Sequence, residues 1–229
     1  LHFEYFFIPS SFICNGVIAQ SGGKIAKIDK NSIAFSLGEY RDRVLAQNKD
    51  NVHGKILKIN TITGEFKIIS KGHRNVQGLY FDRSKNLIVS SEHGPKGGDE
   101  INIIKLDGAN NNFGWPISSY GHHYDGKFRE DAPLYKSHIK HDFIEPLKYF
   151  TPSIGISDVQ SLSDFFEYDG NIFGVGALGH NPEEGDKIIH LFKISDDYDK
   201  IIDINYIETG ERVRDIEVID DNNCVYLVL

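Results

Sequence analysis

The densest concentration of ligating side chains is the run Gly72-His73-Arg74-Asn75-Val76-Gln77-Gly78. It is followed by Ser91-Glu92-His93-Gly94-Pro95-Lys96-Gly97-Gly98-Asp99-Glu100-Ile101-Asn102 and then by Phe113-Gly114-Trp115-Pro116. Arg74 and Asn75 offer forked donors suited to a carboxylate or a quinone oxygen. The Gly-Pro and Gly-Gly turns expose main-chain carbonyls, which join Asp99 and Glu100 as hard oxygen donors of the kind Ca²⁺ takes. The same residues would equally make a salt-bridge network between neighbouring sheets, closed by tight turns. Residue types alone leave both readings open.

The elements that position these residues are short β-type runs cut by turn residues. Ile25–Asp29, Ser32–Ser36, Lys55–Ile59, Glu65–Ser70, Gln77–Phe81, Leu87–Ser91 and Glu100–Leu106 come first. After a gap come Ile172–Ala177, Lys187–Ile194, Ile201–Ile207, Val213–Ile219 and Cys224–Leu229. Each is rich in Ile, Val, Phe and Tyr and bounded by Gly, Asn, Asp or Ser, and no window sustains a helical period. Strand groups recurring every ~40–45 residues predict the four-stranded blades of an all-β propeller, roughly five of them in this length. The polar groups before Gln77–Phe81 and after Leu87–Ser91 then fall at one end of a blade. Phe113–Glu145 breaks the pattern and reads as a long loop over the binding face.

The chain has 229 residues, of which 40% are hydrophobic and 25% charged, a globular composition. Its 25 Lys+Arg against 33 Asp+Glu leave a net charge of -8, which argues against a general nucleic-acid binder. No apolar stretch approaches the roughly 18 residues of a transmembrane helix. There is no Met, and the chain opens on Leu1, so the expectation is that an N-terminal segment has been removed or that the chain is a fragment. Cys14 and Cys224 are too sparse for a disulfide scaffold. Two separate buried thiols and one bond joining the chain ends both remain open.

The run GHRNVQG…SEHGPKGGDEIN…FGWP resembles the glucose/sorbosone dehydrogenase family. The likeness continues through Ser119–Tyr124, Pro152–Gly155, Gly176–Leu178 and Glu211–Asp215, and so spans most of the chain. The resemblance implies a six-bladed β-propeller that uses pyrroloquinoline quinone (PQQ) and Ca²⁺ to oxidise aldose sugars, exported to the periplasm or cell surface. It assigns cofactor contacts to Arg74, Asn75, Tyr124, Arg212 and Arg214, cations that suit the three carboxylates of PQQ. It gives the carbonyls of Gly94 and Pro95 to the cofactor calcium, and the Glu100 side chain with the Phe113 carbonyl to a structural calcium.

Two departures follow from the same alignment of motifs. The family's catalytic histidine, two residues before a Gly-Gly-Arg run, falls on Gln20 of Gln20-Ser21-Gly22-Gly23-Lys24, and an amide takes no proton at neutral pH. The family's quinone-contacting lysine falls on Gly179. His93, His122 and His123 are the substitutes in reach, though loop histidines at a channel rim are the plainer reading. The expectation is a dehydrogenase-type propeller with attenuated sugar oxidation, set against a non-catalytic binding or cell-envelope structural propeller. A six-bladed ring at ~40–45 residues per blade needs about 240–270 residues. The expectation is therefore an additional N-terminal segment of roughly one blade, with Cys224–Leu229 as a strand beside the gap.

Overall fold

A computed structural model describes residues 9, 11–12, 16–108, 110–166, 170–179, 185–219 and 224–229. Alternating β-branched and polar residues make β1 (Gly22–Asp29), β2 (Ser32–Leu37), β3 (Lys55–Asn60) and β4 (Phe66–Lys71), which pair in chain order as one antiparallel sheet. A second sheet holds β5 (Val76–Asp82), β6 (Leu87–Glu92), β7 (Asp99–Lys105) and β8 (Lys148–Phe150). The third holds β9 (Val159–Ser161), β10 (Asn171–Ala177), β11 (Ile188–Ile194) and β12 (Ile201–Glu208). β13 (Asp215–Ile219) and β14 (Cys224–Val228) form a two-stranded ribbon. The first strands stand side by side, β1 on β5, β5 on β9 and β9 on β13, as the inner strands of propeller blades do.

The architecture is all-β, as the periodicity predicts. Among the described residues there are three four-stranded sheets and one ribbon, fewer than the roughly five blades obtained by dividing length by period. The difference lies in residues 106–147, whose described residues carry isolated β-bridges and one 3₁₀ turn at His138–His141 in place of strands. β8 and β9 have three residues each, too short to give an alternating pattern, and went unrecognised in the sequence. Cys224 is exposed on β14, against the buried reading, while Cys14 lies outside the described residues.

Apolar faces pack sheet on sheet. Ala26, Ile56, Val76, Ile88, Ile104 and Phe113 fill the space between the first two sheets. Val89, Ile101, Phe150, Val159, Phe173 and Phe192 fill that between the second and third. Each of the Val, Ile and Phe side chains among them contributes about 1.5–3 kcal/mol through burial. Where β5 meets β9, backbones touch: a Cβ on Gly78 would lie 2.4 Å from the Val159 nitrogen. Polar stitches cross neighbouring seams, from Ser91 Oγ to the Ser157 carbonyl (2.5 Å) between the second and third sheets and from Ser157 Oγ to the Val213 carbonyl (2.6 Å) towards the ribbon.

Candidate active site

The residues just outside the inner strands form one cleft. Gln20 precedes β1, Glu39 follows β2, Arg74 precedes β5 and Pro95 follows β6. With Trp115, His123 and Tyr124 they line a cleft of about 210 Å³. His123 and Tyr124 also wall a wider neighbouring groove of about 690 Å³, which Lys96, His122, Thr151 and Pro152 share.

Arg74 is the cleft's buried cation, 8% exposed. Its Nη1 donates to the His93 carbonyl (3.1 Å), and its guanidinium carbon lies 5.5 Å from the Trp115 ring centre. The Gln20 amide, turned so that both its atoms find partners, accepts from Arg74 Nη2 (2.6 Å) and donates to Glu39 Oε1. Gln20 occupies the left-handed backbone region (φ 58°), and the Tyr40 amide donating to its carbonyl (3.1 Å) helps hold that conformation. Burial works against the Arg74 charge and lowers its pKa, opposed by Glu39, Tyr124, Asp99 and Glu92. Burial likewise pushes the Glu39 carboxyl up to about 7, against the pull of Arg74 and Arg43. Two buried polar atoms of cleft residues have no hydrogen-bond partner: Glu39 Oε2 and Trp115 Nε1.

Of the residues expected to touch a cofactor, the structure brings Arg74 and Tyr124 into the cleft lining, Tyr124 exposed at 74%. Asn75 is not in the lining; its Oδ1 accepts from the Gly22 amide (3.0 Å) and Gln77 Nε2 (3.1 Å), which locks β1 to β5. Arg212 and Arg214 are not in the lining. Arg212 Nη2 donates to the Gly155 carbonyl (3.3 Å), and Asp99 lies within electrostatic reach of both Arg212 and Arg74. The Arg214 side chain is exposed.

Pro95 of the Gly94-Pro95 turn does reach the cleft. Asp99 is committed to structure. Its Oδ1 accepts from the Gly94 amide (3.0 Å), and its Oδ2 accepts from the amides of Ile154 (3.1 Å) and Ile156 (3.2 Å). Burial raises its pKa, but these bonds and His93 outweigh that and hold it low. Glu100 sits apart from the cleft, paired across the ladder with Glu92. Burial first, and Glu92 second, drive the Glu100 carboxyl well up. His73 connects this pair to Phe113, bonding Glu92 through Nδ1 (3.1 Å) and stacking on the Phe113 ring (5.1 Å). Among the described residues no cluster of three or more His, Cys, Asp and Glu side chains could hold a metal.

Gly179 has φ +101°, and a Cβ there would meet the Asp186 nitrogen at 2.1 Å, so no side chain fits in this backbone. Of the three histidines, only His123 lines the cleft, its Nε2 bonded to the Ala132 carbonyl (2.7 Å). Sequence reasoning missed Glu39, and it missed Lys24. Lys24 Nζ lies 2.8 Å from Asp158 and 2.5 Å from Asp215, joining three sheets. Burial, with the hydrogen bond from Asp215, pushes Asp158 up to about 7.

Comparison with known proteins agrees with this architecture. The aldose sugar dehydrogenase YliI of Escherichia coli is 30% identical over 213 residues, 85% of this chain and 53% of that protein. Quinoprotein glucose dehydrogenase B of Acinetobacter calcoaceticus is 43% identical over 79 residues, 34% of this chain and 15% of that protein. A crystal structure of glucose dehydrogenase superposes with a TM-score of 0.72 at 28% identity, covering 90% of this chain and 60% of that one. The chain spans about half the length of the curated relatives it matches over most of its own. The family model for Glucose / Sorbosone dehydrogenase matches residues 15–229, and the chain belongs to that family.

Proposed function

We propose that this chain carries the cofactor cleft of a PQQ-dependent sugar dehydrogenase, oxidising a hydroxyl of an aldose. The observation that supports this most directly is the buried Arg74 over Trp115, an uncommitted indole N–H beside a buried cation. A polycarboxylate with quinone oxygens would satisfy both. Arg74 and Trp115 would hold its acidic edge, Tyr124 and Pro95 would flank it, and the wider groove walled by His123 would admit the sugar. The printed name of the quinoprotein relative supports the choice of group. When bound, PQQ supplies a two-electron acceptor. The chain's own residues bind it, exclude water from its acidic edge and take up the substrate's hydroxyl proton.

Calcium enters the proposal through the carbonyls of Gly94 and Pro95 and through Glu100, whose repulsion with Glu92 a divalent cation would relieve. Asp99 would not join these donors, because its oxygens are already taken by backbone amides. Gln20, which cannot take a proton, supports slower turnover than a histidine would give. The same reading places the protein in the periplasm or outside the cell, which fractionation checks. Reconstitution with PQQ and Ca²⁺, following dye reduction with a panel of aldoses, tests the proposal. Quinone binding without turnover on any aldose would favour a binding propeller instead.

A further inference from the structure

Oxidation of a hydroxyl needs a proton acceptor, and the cleft holds few groups able to serve. Its guanidinium groups and the Tyr124 hydroxyl offer donors, and Gln20 has no basic atom. Two candidates remain, Glu39 and His123. His123 sits on a largely exposed stretch, residues 122–131. Glu39 sits at the end of β2 and is held from both sides. Its backbone amide donates to the Arg74 carbonyl (3.0 Å), and its Oε1 accepts from the Gln20 amide. Its Oε2 has no hydrogen-bond partner.

We propose that Glu39 is the proton acceptor of the cleft, with Gln20 as its positioning residue. The assignment rests on the reading under Proposed function. Converting a sugar hydroxyl to a carbonyl breaks one O–H and one C–H bond. The C–H hydrogen leaves with its electron pair to a quinone-class acceptor, the O–H proton passes to Glu39 Oε2, and the C=O bond forms. Burial raises the Glu39 carboxyl, Arg74, Arg43 and the Arg41 amide pull it down, and Asp42 pushes it up, so that, with Arg41, His123 and Tyr124 also lining the cleft, it changes charge near neutrality. A base so poised is half in its working form there and still strong enough to take a hydroxyl proton in the transition state.

The test compares the full unmodified chain with Glu39→Gln, Glu39→Ala and His123→Ala. PQQ binding is read by quenching of intrinsic fluorescence and turnover by dye reduction. The expected result is that Glu39→Gln binds PQQ within about threefold of the unmodified chain but loses on the order of 10²–10⁴ in turnover. Added formate should restore part of the rate to Glu39→Ala. In the cofactor-free chain, infrared difference titration should show carboxyl signal lost as pH rises through about 7, with the Glu39 share missing in Glu39→Gln and the Asp158 share remaining. Full turnover by Glu39→Gln, loss confined to His123→Ala, or absence of the Glu39 share would each overturn the assignment while leaving the proposed function standing. Failure of the unmodified chain to bind PQQ would instead remove the proposed function, and the assignment with it.

Discussion

Lys24 of β1 lies 2.8 Å from the Asp158 carboxylate at the start of β9, so a charge carried by the first sheet is neutralised at the third. Asp158 has no solvent-exposed side-chain surface, and its other partners are Asp215 and the Ile216 amide (3.1 Å). The ammonium is partly buried as well. Burial works to lower its pKa, but the two carboxylates outweigh this and raise it.

Removing that ammonium leaves the buried Asp158 beside a half-exposed Asp215. Lys24→Met should cost about 1–3 kcal/mol, less than for a fully buried pair because Asp215 is solvated and Asp158 can hold a proton. Urea unfolding reads this as a lowered midpoint at unchanged slope. Replacing Lys24, Asp158 and Asp215 together by apolar residues should recover much of the loss.

Gly78 is required by backbone contact and not by its own dihedral. The missing Cβ of Gly78→Ala would fall 2.4 Å from both Val159 N and Ser91 Oγ, forcing β5 and β9 apart. The substitution should destabilise by about 1–3 kcal/mol or more, seen as a Tm lowered by several degrees. Gly64→Ala, whose Cβ would meet nothing within 4 Å, should show only the smaller cost of its positive φ.

Stability should fall as pH rises from about 4.5 to about 7. Glu39 and Asp158 keep their protons in the folded chain up to about 7, whereas unfolded carboxyls lose them near 4. Between those limits the folded state binds more protons, so raising pH favours unfolding, by at most about 1.4 kcal/mol per pKa unit for each group. Urea midpoints measured at half-unit steps check the sign, and Glu39→Gln should flatten the curve.

Arg74→Lys keeps the charge but loses the flat fork over Trp115 and the bond to Gln20. One charge-assisted hydrogen bond is worth roughly 1.5–3 kcal/mol, so PQQ affinity should drop by about 10–150-fold. Fluorescence titration in the cofactor-free chain reads the change directly.

Gln20→His should raise sugar oxidation by supplying a second base beside Glu39. The companion change Gly179→Lys should not help. Its Cβ would meet the Asp186 backbone at 2.1 Å in a positive-φ position, so loss of stability is expected before any gain in quinone binding. Steady-state dye reduction and thermal melts of the two single variants separate these outcomes.

Composition and the spacing of Ile, Val, Phe and Tyr between turn residues determined that the chain is all-β, and they located twelve of its strands near their observed bounds. Those signals are local, since a strand of five or more residues carries its own alternation. The motif around Arg74 and Pro95 was legible too, because residues before one strand and after its antiparallel partner must share an end of the sheet. The same rule would have placed Glu39, after β2, beside Gln20, before β1, had the polar residues flanking that hairpin been read together. What the tertiary structure alone decided is how separate sheets meet. Asp99 Oδ2 accepts from the Ile154 and Ile156 amides, which arrive from beyond β8. Arg212 fell outside the cleft lining, and Lys24 found carboxylates more than a hundred residues away. Such partners are set by packing between blades, where charge and volume must balance across chain distances that no local pattern records.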